Sequence, residues 1–334
     1  MGYEPKFTVT SHLLKIIEEI ATFRERILAA TVQVPWIPAL QKDARVKNTH
    51  ASTAIEGNPL TLEEVKILEE GGTLSARSKR SKQEVLNYFA ALKFIERSTA
   101  IKKVTEKDLL KLHKIIAKDV MDQGDFGKYR KIEVRVGHYF PPKSKEVPRM
   151  MKDLIVWWNT GSAKWSPVIS SAILHYRFEA IHPFGDGNGR VGRALAMWEL
   201  YRRGFDTHHI FSVDEVYWEN RQRYYSALDQ VDKQEGDLTG WLEYSAEALH
   251  LTLENVLQRI DQLSLSYDNK SLILMPKQER LLNLLRDKRA MAPKDIWDAL
   301  DISKQGALDL LKPLIEAGLV KRVGTRKSGK YMLA

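Results

Sequence analysis

The chain has 334 residues and a mass of 38.4 kDa, with 43% hydrophobic and 28% charged residues; these globular proportions exclude wholesale disorder and suggest two domains, or three. It contains no cysteine, which excludes disulfides, zinc–thiolate sites, iron–sulfur clusters and a Cys nucleophile. Fifty-two basic residues against 43 acidic leave a net charge of +9, a balance that suits polyanionic partners such as nucleic acid, nucleotides or acidic protein surfaces.

No run approaches the ~18 apolar residues of a membrane span. The start, MGYEPKFTVTSHLLKIIEEI, lacks a basic n-region followed by an apolar h-region. Lys6 stands where a myristoylation pattern needs Ser or Thr. The expectation is a soluble cytoplasmic protein.

In chain order, the spacing of apolar residues predicts a mainly helical fold. Ser11 to Ala29 carries Leu13, Leu14, Ile16, Ile17, Ile20 and Ile27 at intervals near three and four. Thr61 to Glu70 opens on Thr61-Leu62-Glu63-Glu64, a capping-box pattern. Further amphipathic helices are predicted over Lys82–Arg97, Thr105–Met121, Glu146–Asn159 and Ser166–Ala180. Between two of them, Ile132, Val134, Val136, His138 and Phe140 alternate with Glu133, Arg135, Gly137 and Tyr139, the two-residue period of an exposed strand or hairpin. Pro141 and Pro142 end it.

Helical spacing resumes over Val191–Arg203, Asp214–Val231 and Leu238 to about Leu265. A polar stretch, Ser266 to Ser271, then suggests a domain boundary. Beyond it, Pro276–Asp287, Pro293–Leu300 and Ser303–Ala317 read as three short helices, with Gly318 as the stop. Leu319–Val323 and Lys330–Leu333 flank a turn from Gly324 to Gly329, and three helices with a terminal hairpin form the pattern of a winged helix-turn-helix. From Ser271 onward there are 13 Lys and Arg against 7 Asp and Glu, so most of the positive charge lies in this small unit.

The chemistry is concentrated in His182-Pro183-Phe184-Gly185-Asp186-Gly187-Asn188-Gly189-Arg190-Val191-Gly192-Arg193. Gly187 and Gly189 let the backbone turn tightly and present consecutive N–H groups at a helix N-terminus, an anion site. Arg190 and Arg193 are three apart, so they share a helix face and can clamp phosphate oxygens. A lone carboxylate beside them, Asp186, suits Mg²⁺, which takes one or two protein carboxylates along with phosphate and water oxygens. His182 is a general base near neutral pH. These residues describe a nucleotide-phosphate site with a base, hence a phosphoryl or nucleotidyl transferase. Gly187 to Gly192 also matches G-x-G-x-x-G, but the residues before it have helical spacing, which argues against a dinucleotide fold. The calcium-loop resemblance of Asp186 to Gly189 fails for want of further carboxylates.

This segment matches the signature H-P-F-x-[DE]-G-N-G-R-x-x-R of the Fic family without a departure, and the chain resembles that family over roughly residues 45–260. The resemblance implies a mainly α fold with a Fic-type helical core and a short β-hairpin flap. It implies transfer of AMP from ATP to a Ser, Thr or Tyr hydroxyl of a target protein, with pyrophosphate released. It assigns His182 as the base that deprotonates the target hydroxyl, Asp186 as the holder of Mg²⁺ on the α- and β-phosphates, and Phe184 as a core anchor. Asn188 and the amides of Gly187 and Gly189 are assigned to phosphate oxygens, Arg190 to the β-phosphate region and Arg193 to the γ-phosphate. Gly187 favours AMP transfer, since relatives with Lys there phosphorylate instead. Gly127 to Arg130 and Val136, Gly137, His138 and Tyr139 resemble the family's target-docking flap, and Asn220 to Leu228 a helix bordering the nucleotide pocket. Tyr224 and Tyr225 in that helix are candidates for adenine or ribose contact.

Ser52-Thr53-Ala54-Ile55-Glu56-Gly57 is similar to the family's inhibitory motif [ST]-x-x-x-E-[GN], in the position of an N-terminal inhibitory helix. On that resemblance Glu56 forms a bidentate pair with Arg193 and occupies the space of the γ-phosphate. Three domains are expected: an N-terminal helical region over 1–100, the Fic core over 101–265 and a winged helix over 272–334. The last has two readings, a DNA-binding module or a protein-interaction module. Alternative functions are a DNA-binding regulator with a nucleotide-sensing core, and a reversible enzyme that mainly removes AMP; self-modification and a homodimer accompany the family resemblance. His175 reads as structural, His208-His209 has no metal-binding company, and Arg77 to Lys82 reads as a solvated basic run.

Overall fold

The computed structural model describes residues 3–31, 37–122, 124–205, 207–266, 276–324 and 329–334. They form two compact units, Met1–Arg24 with Gln41–Val256, and Glu25–Leu40 with Leu257–Ala334. Among the described residues the helices run in chain order as α1 (Ser11–Thr31), α2 (Ile37–Ile55), α3 (Leu62–Glu69), α4 (Lys79–Arg97) and α5 (Glu106–Ala117). They continue as α6 (Val147–Thr160), α7 (Pro167–Ile181), α8 (Asn188–Arg202), α9 (Val213–Glu219), α10 (Arg221–Lys233) and α11 (Thr239–Ser266). The last three are α12 (Pro276–Lys288), α13 (Pro293–Leu300) and α14 (Lys304–Glu316). No helix among the described residues is long and apolar enough to cross a membrane.

Local chemistry sets several boundaries. The capping box expected at Thr61 forms: its hydroxyl accepts from Glu64 N–H and Glu64 accepts from Thr61 N–H. Thr105 and Asp108 repeat the device at α5. The single helix expected over Asp214–Val231 is two, α9 and α10, because Asn220 leaves helical geometry and its side chain caps Arg223 N–H. The stretch before Ser52 forms α2, which no apolar period had marked.

Packing explains two departures from the sequence pattern. The segment Ser166–Ala180 was expected to be amphipathic, yet residues 168–175 of α7 are buried without a break. A helix wrapped on all sides needs no polar stripe. Helix α8 is similarly enclosed, and the two pack together at the centre of the first unit. The alternating segment from Ile132 to Phe140 forms no ladder: a single bridge joins Val136 and Tyr139 around Gly137 and His138. Pro141 and Pro142 have no N–H to extend it. The segment is instead tied at its base by the buried Arg130, which donates to the carbonyls of His182, Ile132 and Pro142.

In the second unit, strands β1 (Ala290–Met291), β2 (Val320–Val323) and β3 (Lys330–Leu333) form an antiparallel sheet in the order β1–β3–β2. Tyr331 pairs with both Met291 and Arg322. Leu281, Leu285, Ile296, Leu311, Leu314 and Val320 make a closed core. Gly318, at φ +70°, stops the chain after α14 in the left-handed region. The boundary expected at Ser266 to Ser271 and the turn from Gly324 to Gly329 lie largely outside the described residues.

Glu199 of α8 is fully buried and holds the first unit together. It accepts from Trp158 Nε1 (2.7 Å), Ser170 Oγ (2.7 Å), Arg202 (2.8 Å) and Arg203 (3.3 Å). Glu199→Ala leaves these donors facing one another without an acceptor and costs about 3–5 kcal/mol. The loss is expected as a matching drop in the urea-unfolding midpoint, with the far-ultraviolet circular dichroism of the folded state unchanged.

Candidate active site

Helix α7 ends at Ile181 and α8 begins at Asn188, so six residues, 182–187, make the turn between these two enclosed helices. His182 adopts a left-handed conformation at φ +50°, and Pro183 cannot continue the helix. Gly187 caps α8 at φ +80°, a conformation that favours a residue without Cβ. The Asn188 side chain closes the turn, accepting from Phe184 N–H and donating to Phe184 C=O, each at 2.9 Å. Its amide is therefore committed to the loop. Phe184 is buried and stacks on His113 at 3.6 Å between ring centres. Gly127 N–H donates to His113 Nδ1, so the ring's other nitrogen donates to Asp186 C=O.

The imidazole of His182 is hydrogen-bonded to the backbone of Glu179, and its Nδ1 lies 3.8 Å from Glu179 Oε2. Burial pushes the His182 pKa down to about 4. With Nδ1 turned to Glu179, Nε2 carries the free lone pair. Glu179 is itself pushed up to about 8 by burial, which outweighs the pull of Arg193. Its Oε1 has no hydrogen-bond partner, and it sits where a Cβ on Gly192 would collide. Gly192 thus admits the Glu179 carboxyl between α7 and α8.

Arg193 is completely enclosed. Its Nε donates to Ser52 Oγ (2.8 Å), its Nη2 to Ser52 C=O (2.9 Å) and Glu56 Oε1 (2.8 Å), and its Nη1 to Tyr224 OH (3.5 Å). The expected contact of Glu56 and Arg193 forms, but through one guanidinium nitrogen and one carboxylate oxygen, because Ser52 and Tyr224 occupy the other edges. Burial raises the Glu56 pKa, and the Arg193 charge outweighs it, holding the carboxyl below its usual range. A Cβ on Gly189 would strike the Glu56 carboxylate, so Gly189 makes the room in which it lies. Gly57 follows α2 at φ +94°, turning the chain away just after Glu56.

A cavity of about 590 Å³ opens here. Glu56, His182, Gly189 and Arg193 line one part, Tyr224 and Tyr225 another, and Val136, Gly137, His138 and Tyr139 a third. The predicted base, brake, arginine, helix tyrosines and flap therefore converge on one space. Asp186, Asn188 and Arg190 are outside its lining. Arg190 instead faces Asp186 (3.3 Å) and Glu84 (4.0 Å). Tyr224 is buried, linking Arg193 to His175 Nε2 at 3.1 Å, whereas Tyr225 is exposed and donates to Ile55 C=O. The structural reading of His175 agrees with this burial. No group of three or more metal-ligating side chains occurs among the described residues. Glu179, His113, Tyr88 and Asp214 were not singled out as site residues from sequence, and Arg130 was named only as the end of the flap-like segment Gly127 to Arg130. Only Glu179 carried a signal, its position one helical turn before His182.

Residues 103–200 match the family model described as the Fic/DOC family. A curated relative from Aedes aegypti, "Protein adenylyltransferase Fic", is 29% identical over 266 residues, covering 78% of this chain and 52% of the relative. The protein of the same name from Drosophila melanogaster is 32% identical over 241 residues, covering 71% of this chain and 47% of its own. The chain thus spans about half the length of these relatives. Among solved structures, a Fic family protein from Desulfovibrio desulfuricans is 27% identical with a TM-score of 0.67, over 99% of this chain and 98% of that one. A Fic domain containing signaling protein from Bacteroides thetaiotaomicron shares the fold at 24% identity and TM-score 0.63, over 75% of this chain and 98% of that one.

The buried ionisable groups make stability depend on pH. His182 and His175 have folded values of about 4 and about 3, below the usual 6.5, so the unfolded chain takes up protons first. Their contribution is whole above pH ~6.5 and is lost as pH falls toward 4 and 3. Glu179, raised from 4.5 to about 8, acts oppositely and loses its contribution as pH rises through that window. Histidine ring signals followed by NMR are expected to show His182 neutral down to about pH 5; titration near 6.5 would contradict its burial.

Proposed function

We propose that the chain, whose residues 103–200 match the Fic/DOC family model, is a protein adenylyltransferase held in check by its own Glu56. The carrying observation is the single cavity shared by His182, the N-terminus of α8, Arg193 and Glu56. The curated relatives named as adenylyltransferases support the same reading.

In this reading ATP lies along the α7–α8 turn, with phosphate oxygens on the N–H groups of the α8 N-terminus. His182 Nε2 takes the proton of the target hydroxyl as the oxygen attacks the α-phosphorus, and the bond to pyrophosphate breaks. The hydrogen bond to Glu179 fixes which nitrogen does this. A half-buried carboxylate outside any group of three or more metal-ligating side chains among the described residues suits an ion that arrives with phosphate oxygens, so Asp186 is the residue that would hold Mg²⁺. Bound there, the cation would neutralise charge on the triphosphate. Arg193 receives the terminal phosphate once Glu56 has left, and Arg190 the phosphate before it. Tyr225 borders the base or ribose, and Tyr224 acts behind Arg193. The flap holds an extended target segment against its exposed backbone at Val136 to Tyr139.

The second unit is read as a winged helix that binds duplex DNA. Lys304 at the start of α14 and Lys321, Arg322 and Lys330 on the sheet are exposed, a placement that supports contacts to phosphate. The full chain is expected to bind duplex DNA with an affinity that falls steeply with salt. Replacing Lys321 and Arg322 by Ala is expected to flatten that slope by about two. Salt-insensitive binding, or none, favours a protein partner instead.

The direct test of the enzyme reading is labelling of protein by ATP radioactive at the α-phosphate. Glu56→Gly removes a charge-assisted bond that competes with the terminal phosphate and is expected to raise labelling roughly 10- to 150-fold. His182→Ala in that background is expected to abolish it. Equal labelling in the parent and in Glu56→Gly would sink the brake, and no labelling in either would sink AMP transfer. Loss of AMP from labelled protein that depends on Glu56 would instead identify a reversible enzyme.

A further inference from the structure

Arg193 stands between two carboxylates of different standing. Glu56 meets it from the cavity side and is about one-third exposed, at 33%. Asp214, the second residue of α9, lies behind it at 3.8 Å from Nε and is 3% exposed. Asp214 Oδ2 accepts from Tyr88 OH at 3.1 Å. It is also hydrogen-bonded to the Ser52 side chain, and since a carboxylate only accepts, the Ser52 hydroxyl donates to it. That hydroxyl in turn accepts from Arg193 Nε at 2.8 Å.

The geometry points to Asp214 as a positioning residue for the phosphate-binding state of Arg193. A guanidinium has five N–H groups. The Nε–H goes to Ser52 Oγ, one Nη2–H to Ser52 C=O and one Nη1–H to Tyr224 OH. When Glu56 leaves, two N–H groups remain, one on each terminal nitrogen, which is the fork that fits a phosphate. The relay through Ser52 holds the Nε edge in place while the fork is empty. Asp214 also supplies the countercharge that a buried cation requires when its other partner has gone. Glu56 is the removable carboxylate and Asp214 the permanent one. This inference rests on the proposed nucleotide site, since it says how that site keeps its arginine.

The test uses the full chain carrying Glu56→Gly, titrated with ATP and with AMP in the presence of Mg²⁺ by calorimetry. Adding Asp214→Asn, which preserves shape, is expected to weaken ATP binding about tenfold and to leave AMP binding unchanged, because AMP has no terminal phosphate for the fork. The KM for ATP is expected to rise with little change in kcat. Adding Arg193→Ala to Asp214→Asn is expected to cause less further loss than Arg193→Ala causes alone. Tyr88→Phe, which removes one bond to Asp214 and leaves its charge, is expected to give a smaller loss of the same kind, and reports if Asp214→Asn does not fold. Equal weakening toward ATP and AMP would mean a merely structural role, and no weakening toward ATP would overturn the inference outright. A Glu56→Gly parent that binds no ATP would overturn the nucleotide-site reading itself.

Discussion

A guanidinium sealed from water must find its partners inside the protein, and the candidate site is arranged around that requirement at Arg193. Burying an unpaired cation costs several kcal/mol, so every edge of this side chain is met by a fixed group. Helix α2 supplies Ser52 and the turn after it Glu56, α9 supplies Asp214, and α10 supplies Tyr224. Elements before and after α8 in the sequence are thereby tied to one of its residues. The arrangement is also frustrated: two carboxylates face one arginine, and the one nearer the cavity is the more exposed. A ligand anion can displace it without leaving the arginine uncompensated.

The turn between α7 and α8 works under the opposite constraint, that of space. Gly189 and Gly192 stand on one face of α8, and a Cβ on either would collide with a carboxylate, from Glu56 in one case and Glu179 in the other. The two close approaches bring both acids against the same helix as Arg193. The left-handed backbone at His182 and Gly187 then folds the loop back between two helices that are too enclosed to move apart. Strain in the turn is held by packing on both sides, with Asn188 and the stack of Phe184 on His113 as the internal ties.

The flap is rigid at its root and sparse at its tip. Arg130 binds the carbonyls at both ends of it and the carbonyl of His182, so the flap's base and the base residue share an anchor. Beyond that, one bridge and the bond from Tyr139 OH to Ala180 C=O hold it, and Phe140 is 72% exposed. In the proposed reading, the exposed backbone groups at the mouth of the cavity are where an incoming extended segment docks. An ordered ladder in the flap would have consumed those groups.

How much of this could be read from the chain differs by residue. Helices with a polar side, such as α4, α5 and α6, were legible because their period is set by a boundary between water and core. So was the residue set from His182 to Arg193, whose glycines, arginines and histidine have few other reasons to occur in that order. Two wholly enclosed helices left no such stripe, and α2 went unmarked by period although its last turn was visible as a motif. Asp214 and Tyr88 were invisible because nothing local distinguishes them, and they lie 126 residues apart; Arg130 was visible as the end of a flap-like segment, but its tie to His182, 52 residues away, was not. The sequence by itself therefore determined the helical class, the capping box at Thr61 and the residue set of the candidate site. Only the tertiary structure decided which groups face Arg193, that Asn188 serves the loop, and that the flap has no ladder. Propensity and periodicity act over a few residues, whereas the partners of a buried charge are chosen by packing across the whole fold.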